Sequence, residues 1–507
     1  MPSAPVRVAE CFAAALARDP GQEALVARSG RWSYEELDEL CARAAQLWLD
    51  LGVRAGERVA ASLPNDVDIV VAFHGAMRIG AVWVGVNRDL APPEKAHLLS
   101  DSGSSVLLAD DATSEELGPH RTSLPALREL VARDRWRDAL AATEPARDLA
   151  PVDPDAPAGL GYTSGTTGRP KGAIHSQRNL LLPGAVLSAS RGYGADLRKG
   201  DCLPLTILNL MSLSTLLTAT AGGTAVLMDQ RHARGVADWI EAEAVTVWNG
   251  PPALLHGLVE AHDVDRSALV TLTEAWSGGS ALPEPLRTRF RDRFGVPVVG
   301  TYGLTEAPTV VSIDPPDGRF RAGASGQVLP HLDVRVVPDG EDGDGLGELC
   351  LAAAADGPWA GVYRPVLGYW ERPDATAELL AGGVVHTGDV GTVDAEGWLR
   401  VVDRRSLVIL RGGANVYPAE VERVLDAVDG VAASAVTGIP DERLGERVVA
   451  AVELDPGSML TGEELVERCR PSLARYKVPE RVVVVDALPR NAMGKVDRTA
   501  LGDVVAT

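Results

Sequence analysis

Short apolar runs alternate with helically spaced segments along most of this chain, and few folds accept that pattern. Residues 59–63, 81–86 and 105–109 are too short for helices and suit strands buried on both faces. Residues 66–80, between the first two, carry helical spacing. The rhythm returns at 224–228, 245–248 and 296–299. Strand–helix–strand repeats of this kind build a parallel sheet covered by helices. Upstream, Leu37, Leu40, Cys41, Ala44, Leu47 and Leu51 recur at three and four within 34–52, behind a capping box of Ser33 and Glu36. Residues 8–18 have similar spacing. A chain of 507 residues exceeds a single hydrophobic core, so two or more domains are expected.

The texture changes near residue 332. Residues 332–337 alternate apolar and polar, Gly/Asp turns follow, and 347–351 and 390–402 continue the pattern, which predicts a small antiparallel, barrel-like part. After Asp403-Arg-Arg-Ser406 a separate unit is expected: helix 418–428, strands 431–437 and 447–453, helix 461–475 and strand 481–485. Residues 110–156, rich in Ala, Asp and Arg, read as surface helix and linker. The fold class is therefore α/β: a large domain over 1–403 and a small α+β domain over 404–507.

The net charge of −21 argues against nucleic acid or an anionic membrane as partner. Five scattered cysteines without a C-x-x-C indicate neither a disulfide framework nor a zinc site. No signal sequence and no run of 18 apolar residues occurs, so a cytoplasmic protein with no membrane span is expected.

The chemistry begins at Tyr162-Thr-Ser-Gly-Thr-Thr-Gly-Arg-Pro-Lys-Gly172. Glycines let a backbone approach an anion, successive N–H groups form an anion nest, and Ser164, Thr166, Thr167 and Lys171 add donors. The string suits a polyphosphate. It is not the common P-loop, because Pro170 precedes the lysine and Gly172 follows it. Thr301-Tyr-Gly-Leu-Thr-Glu306 follows an apolar strand, where ligands of parallel sheets bind. Glu306 is a hard oxygen ligand suited to Mg²⁺, and Tyr302 offers a flat face to a base. Ser277-Gly-Gly-Ser280 lets main chain lie against a ring. Asp389, in His386-Thr-Gly-Asp389, can accept two ribose hydroxyls, and Arg404 is a fixed-charge fork. Arg411-Gly-Gly-Ala-Asn-Val-Tyr-Pro418 is a glycine-rich turn into a helix. Lys495, after Gly494, is a loop ammonium able to stabilise charge on a transferring phosphate.

In order and spacing these strings resemble the adenylate-forming superfamily, most closely its acyl- and aryl-CoA synthetases, from about residue 30 to residue 500. The resemblance implies ATP, Mg²⁺ and coenzyme A, a small-molecule carboxylic acid activated as its acyl-adenylate, and a mobile C-terminal domain. It implies that Thr163, Ser164, Gly165, Thr166, Thr167, Gly168 and Lys171 hold the β- and γ-phosphates. Thr166 and Glu306 would fix the metal. Gly278, Gly279, Ser280, Tyr302 and Gly303 would flank adenine, Thr305 would touch the α-phosphate, and Asp389 with Arg404 would hold the ribose. Lys495 would bridge carboxylate and α-phosphate. Gly412, Gly413 and Tyr417 would then line an acceptor tunnel after rotation about Ser406. The acyl pocket would be lined by Leu208, Asn209, Met211, Ser212, Trp248, Gly250 and Ala307. No Lys or Arg lies in those segments, which favours an apolar monocarboxylic acid over a dicarboxylate. A monomer or homodimer is expected.

Two positions depart from the family. Ser406 replaces the usual Lys or Asp of the pivot, and Ile207 stands where a His often gates the passage between carboxylate and thiol. An adenylate-forming ligase that delivers to an amine or a carrier-protein thiol is therefore the alternative.

Overall fold

The computed structural model describes residues 6–506 except 164–169, 280–281, 339–344, 405–406, 412–413, 442–443, 474 and 492–494. The alternating pattern forms two helix-covered sheets. In the six-stranded sheet, Glu129–Ala132, Val106–Ala109, Arg58–Ser62, Val82–Gly85 and Pro157–Thr163 lie side by side in parallel. Lys171–Ser176 closes one edge as an antiparallel hairpin partner. In the nine-stranded sheet, six parallel strands run in the order Val298–Leu304, Glu274–Gly278, Val247–Asn249, Arg198–Asp201, Thr224–Leu227 and Glu23–Ala27. Antiparallel strands flank both edges.

Helices fill the space between the sheets. Tyr34–Asp50 begins at the capping box, where Glu36 N–H donates to Ser33 Oγ at 3.2 Å and Ser33 N–H to Glu36 at 2.8 Å. It crosses Val67–Arg78 closely: a methyl group on Gly75 would stand 2.7 Å from Ala44 Cβ. Trp83, Val59 and Leu108 from one sheet and Leu25 and Leu227 from the other join these helices in a single core. The outer faces are covered separately, so the large domain is five layers deep. The segment 110–156 is more than linker: Glu129–Ala132 is an edge strand, and Arg133–Ala142 buries Trp136 against Trp48. Four residues with mixed polarity gave that strand no periodic signal.

The barrel-like part is a four-stranded antiparallel sheet of Leu332–Pro338, Gly347–Ala353, Val385–Val393 and Leu399–Arg404. Its last strand meets the nine-stranded sheet through the Gln327–Trp398 bridge. The small domain has its own core, in which helices Pro418–Asp426 and Gly462–Cys469 pack on the hairpin Val431–Asp441 and Gly445–Leu454, with Arg481–Val485 parallel alongside. The helix expected over 461–475 stops at Cys469, before Pro471. Among the described residues no helix is long and apolar enough to cross a membrane.

Candidate active site

The carboxyl ends of two strands from different sheets, Pro157–Thr163 and Val298–Leu304, meet at Glu306. The hairpin 157–163/171–176 keeps Thr163 opposite Lys171. Ser164, Gly165, Thr166, Thr167 and Gly168 lie outside the described residues, as do Ser280, Ser406, Gly412 and Gly413. Glu306 stands beside the hairpin: Thr163 Oγ1 donates to its Oε1 at 3.4 Å and the Tyr369 hydroxyl does so at 2.8 Å. Lys171 Nζ lies 5.4 Å from the Tyr369 ring centre. Burial, then the Glu306 charge, pushes the Tyr369 phenol up, so it stays a donor. Tyr369 was missed in the sequence, where it is one aromatic in an unpatterned stretch; its bridge to Ala173 brings it to the hairpin.

Thr305 packs against Gly161. A methyl group on that glycine would meet Thr305 Cγ2 at 2.6 Å and His175 Nε2 at 3.5 Å. Thr305 Oγ1 lies 3.4 Å from Asn209 Nδ2. Burial lowers His175 to about 4, so the imidazole is neutral.

Asp389 is held from two sides. The Tyr302 hydroxyl donates to its Oδ2 at 2.5 Å and Arg404 Nε lies 3.1 Å from Oδ1, with Asp389 and Arg404 directly opposite in the hairpin register. Burial raises the Asp389 carboxyl; Arg404 and Tyr302 pull it back down, and Glu306 opposes them. Glu348 sets the turn beneath, accepting from Gly388 N–H at 3.2 Å while its other oxygen lies 3.1 Å from His386 Nδ1.

Gly278 ends its strand against Thr301, leaving no room for a side chain, and Gly279 adopts φ +83°. A methyl group on Gly279 would stand 3.7 Å from Lys495 Cε. The small domain thus docks with Lys495 reaching over the glycine turn of the large one. Lys495 is exposed, with protein groups close around its ammonium. That dehydration, then Arg404, holds its ammonium below the usual lysine range, while Asp389 and Glu306 pull it up. Tyr417 is the N-cap residue of Pro418–Asp426.

Most residues expected to line the acyl pocket are buried. Trp248 is fully buried on the opposite face of the nine-stranded sheet, among Leu258, Phe290 and Val298. The period of two along Val247–Asn249 turns Val247 and Asn249 toward the interlayer helices and Trp248 away from them. The Trp248 ring also covers Gly250. Leu208 and Met211 point into the interlayer core, the Ser212 hydroxyl donates to the Leu180 carbonyl, and Ala307 is fully buried. Of the expected lining, Asn209 reaches a site residue directly, through Thr305.

Comparison with known proteins agrees with this geometry. A family model described as AMP-binding enzyme matches residues 12–357, and one described as AMP-binding enzyme C-terminal domain matches 420–495. The long-chain-fatty-acid–CoA ligase FadD13 of Mycobacterium tuberculosis is 34% identical over 490 residues, covering 93% of this chain and 92% of that protein. Feruloyl-CoA synthase of Amycolatopsis sp is 37% identical over 482 residues, covering 92% of each. The structure of the amide bond synthetase McbA from Marinactinospora thermotolerans superposes with a TM-score of 0.86 at 27% identity, covering 98% of this chain and 99% of that one. The chain therefore belongs to the AMP-binding enzyme family, as an ATP-dependent, AMP-forming ligase of the acyl-CoA synthetase type.

Proposed function

We propose that residues 1–403 bind ATP and an apolar aryl or alkyl monocarboxylic acid, and that residues 404–507 carry Lys495 to the site to complete adenylation. The observation that carries this reading is the approach of Lys495 to Gly279, within the charge field of Arg404, Asp389 and Glu306. The acid's carboxylate is already ionised and attacks the α-phosphorus, expelling pyrophosphate. Catalysis is then positional and electrostatic, with no general base. Lys495 bridges the two negative groups that must approach. Thr305 contacts the α-phosphate, the Thr163–Lys171 loop holds the outer phosphates, and Asp389 accepts the ribose hydroxyls. The hard oxygens of Glu306 and Thr166 suit Mg²⁺, which would neutralise phosphate charge there. Adenine lies along Gly278–Ser280 with Tyr302 and Gly303.

In the second step the acyl group passes to coenzyme A, Lys495 having left and the 411–417 turn having taken its place. Pyrophosphate release over a panel of carboxylic acids, with and without coenzyme A, tests both steps. Formation of a thioester with AMP supports the reading; pyrophosphate release without a thioester assigns another acceptor. Ile207 favours that second reading, an amine or carrier-protein thiol, because this half-buried alkyl side chain cannot gate by charge or hydrogen bond as a histidine does.

A further inference from the structure

One buried row of polar groups has no part in the machinery above. Lys199 and Asp201 stand two apart on the strand Arg198–Asp201 and are 0% and 1% exposed. Their register places Lys199 beside Val247 and Asp201 beside Asn249, on the sheet face that also carries Trp276. That face packs against the helical segment following Asn209. Lys199 Nζ donates to Asp201 Oδ2 at 2.9 Å and lies 5.0 Å from the Trp276 ring centre.

A neighbouring carboxylate on the same face shows what saturation looks like. Glu274 receives Arg191, the Tyr193 hydroxyl and Trp276 Nε1, the last at 3.1 Å. Asp201 differs: its Oδ1 is buried and has no hydrogen-bond partner. Ser214 Oγ is buried and unpartnered too, in the π-helical turn Ser212–Leu216 above the strand. Burial raises the Asp201 carboxyl, while Lys199 and then weak hydrogen bonding from Ser214 and Asn249 favour its charge; neither of the last two reaches full hydrogen-bond geometry at Oδ1. A buried carboxylate oxygen without a full donor is destabilising, and a ligand that supplies one removes that cost.

Asp201 is also the last residue of its strand, at the carboxyl edge where ligands of parallel sheets bind. The strand bearing Gly278 is two places away and Asp201 is in register with Trp276, two residues before Gly278, so about 12 Å separates Asp201 from the glycine turn beneath Lys495. We propose that Asp201, with Ser214, forms the far end of the acyl pocket and accepts an O–H or N–H donor at the distal end of a flat aromatic acid about 10 Å long. This inference rests on the ligase reading above. Lys199 balances the Asp201 charge, so the subsite is not cationic and a dicarboxylate gains nothing there.

The test is kcat/KM for pyrophosphate release with 4-hydroxycinnamate, 4-methoxycinnamate and cinnamate. Indole-3-acrylate against its 1-methyl analogue separates an N–H from an O–H donor. The wild type should prefer the donor-bearing member of one pair by about 10- to 100-fold, the worth of a hydrogen bond to a charged acceptor. Asp201→Asn should bring that ratio close to one, and Ser214→Ala should lower it severalfold. A wild type that does not distinguish hydroxyl from methoxyl, or N–H from N-methyl, overturns the inference without needing a variant. So does an Asp201→Asn protein that loses all acids in equal proportion, which marks a structural ion pair. Either result, with pyrophosphate still released from some acid, leaves the ligase reading standing; no release from any carboxylic acid removes both.

Discussion

Gly161→Ala tests whether the position of Thr305 governs adenylation. Gly161 lies in the middle of Pro157–Thr163 with ordinary strand dihedrals, so alanine brings no backbone strain. Its new methyl would meet Thr305 Cγ2 at 2.6 Å, whereas ordinary contact begins near 3.4 Å. Thr305 must therefore retreat by about 1 Å, since His175 behind the same methyl is fully buried and cannot yield. A displacement of that size at a reacting group costs about 100-fold in rate, and the overpacking about 1–3 kcal/mol in stability. ATP–pyrophosphate exchange reads the first quantity and urea denaturation the second. Thr305→Ser removes Cγ2 and keeps the hydroxyl facing Asn209, so Gly161→Ala/Thr305→Ser should recover most of the exchange rate. A fully active Gly161→Ala enzyme would refute the reasoning. A double variant as slow as the single one would show that the loss arises elsewhere.

Other perturbations separate the remaining roles. Lys495→Ala should reduce adenylation by about 100-fold or more, yet leave thioester formation from supplied acyl-adenylate measurable in a quenched-flow assay. Tyr302→Phe deletes the donor to Asp389 and should raise the KM for ATP about 10-fold with little change in kcat, measured by initial rates. Burial lowers His74 and His331 to about 3 and His175 to about 4, against 6.5 for the free side chain. The unfolded chain binds those protons first, so stability is complete above pH 6.5 and falls on acidification toward pH 4, by roughly 1.4 kcal/mol per unit for each histidine. Burial raises Asp403 to about 6 and Asp426 to about 7, which works in the opposite sense as pH falls through those values toward 4. Calorimetry between pH 7 and 5 should therefore show the large-domain transition dropping more than the small-domain one.

Much of the site was legible because its residues sit in strings with local meaning. Glycine turns, a hydroxyl-rich string and carboxylates at strand ends declare themselves within ten residues. The parallel sheets were legible for a similar reason, since each buried strand is a short apolar run. What escaped depends on which way a side chain faces in three dimensions. Trp248 sits one residue from Val247 and Asn249, and a strand's period of two sends it to the other layer. Tyr369 lies far along the chain from Glu306 and reaches it through a single bridge to Ala173. Lys199 and Asp201 did carry a signal, two charges spaced by two just before an apolar stretch. Charged residues are usually solvated, and only the packed sheet shows this pair to be buried.

The strand Leu399–Arg404 couples the ribose site to the domain movement proposed for the second step. Its last two residues engage opposite partners: Arg404 holds Asp389 of the large domain, and Asp403 Oδ2 accepts the Ala419 N–H of the small-domain helix Pro418–Asp426 at 2.8 Å. A carboxylate at a helix N-terminus is favoured by the unpaired N–H groups and the helix dipole, worth about 1–2 kcal/mol when partly buried. Rotation about Ser406, which follows both residues, must break that bond while Arg404, on the large-domain side of the pivot, stays with Asp389, so Asp403 stabilises the docked state in which Lys495 faces Gly279. Asp403→Ala should therefore shift the domain equilibrium toward departure by about 10-fold. Acyl transfer from supplied adenylate should rise relative to adenylation, and the distance between fluorophores on the two domains should change before any acceptor is added. Equal loss of both half-reactions, with no change in that distance, would show that Asp403 only caps the helix.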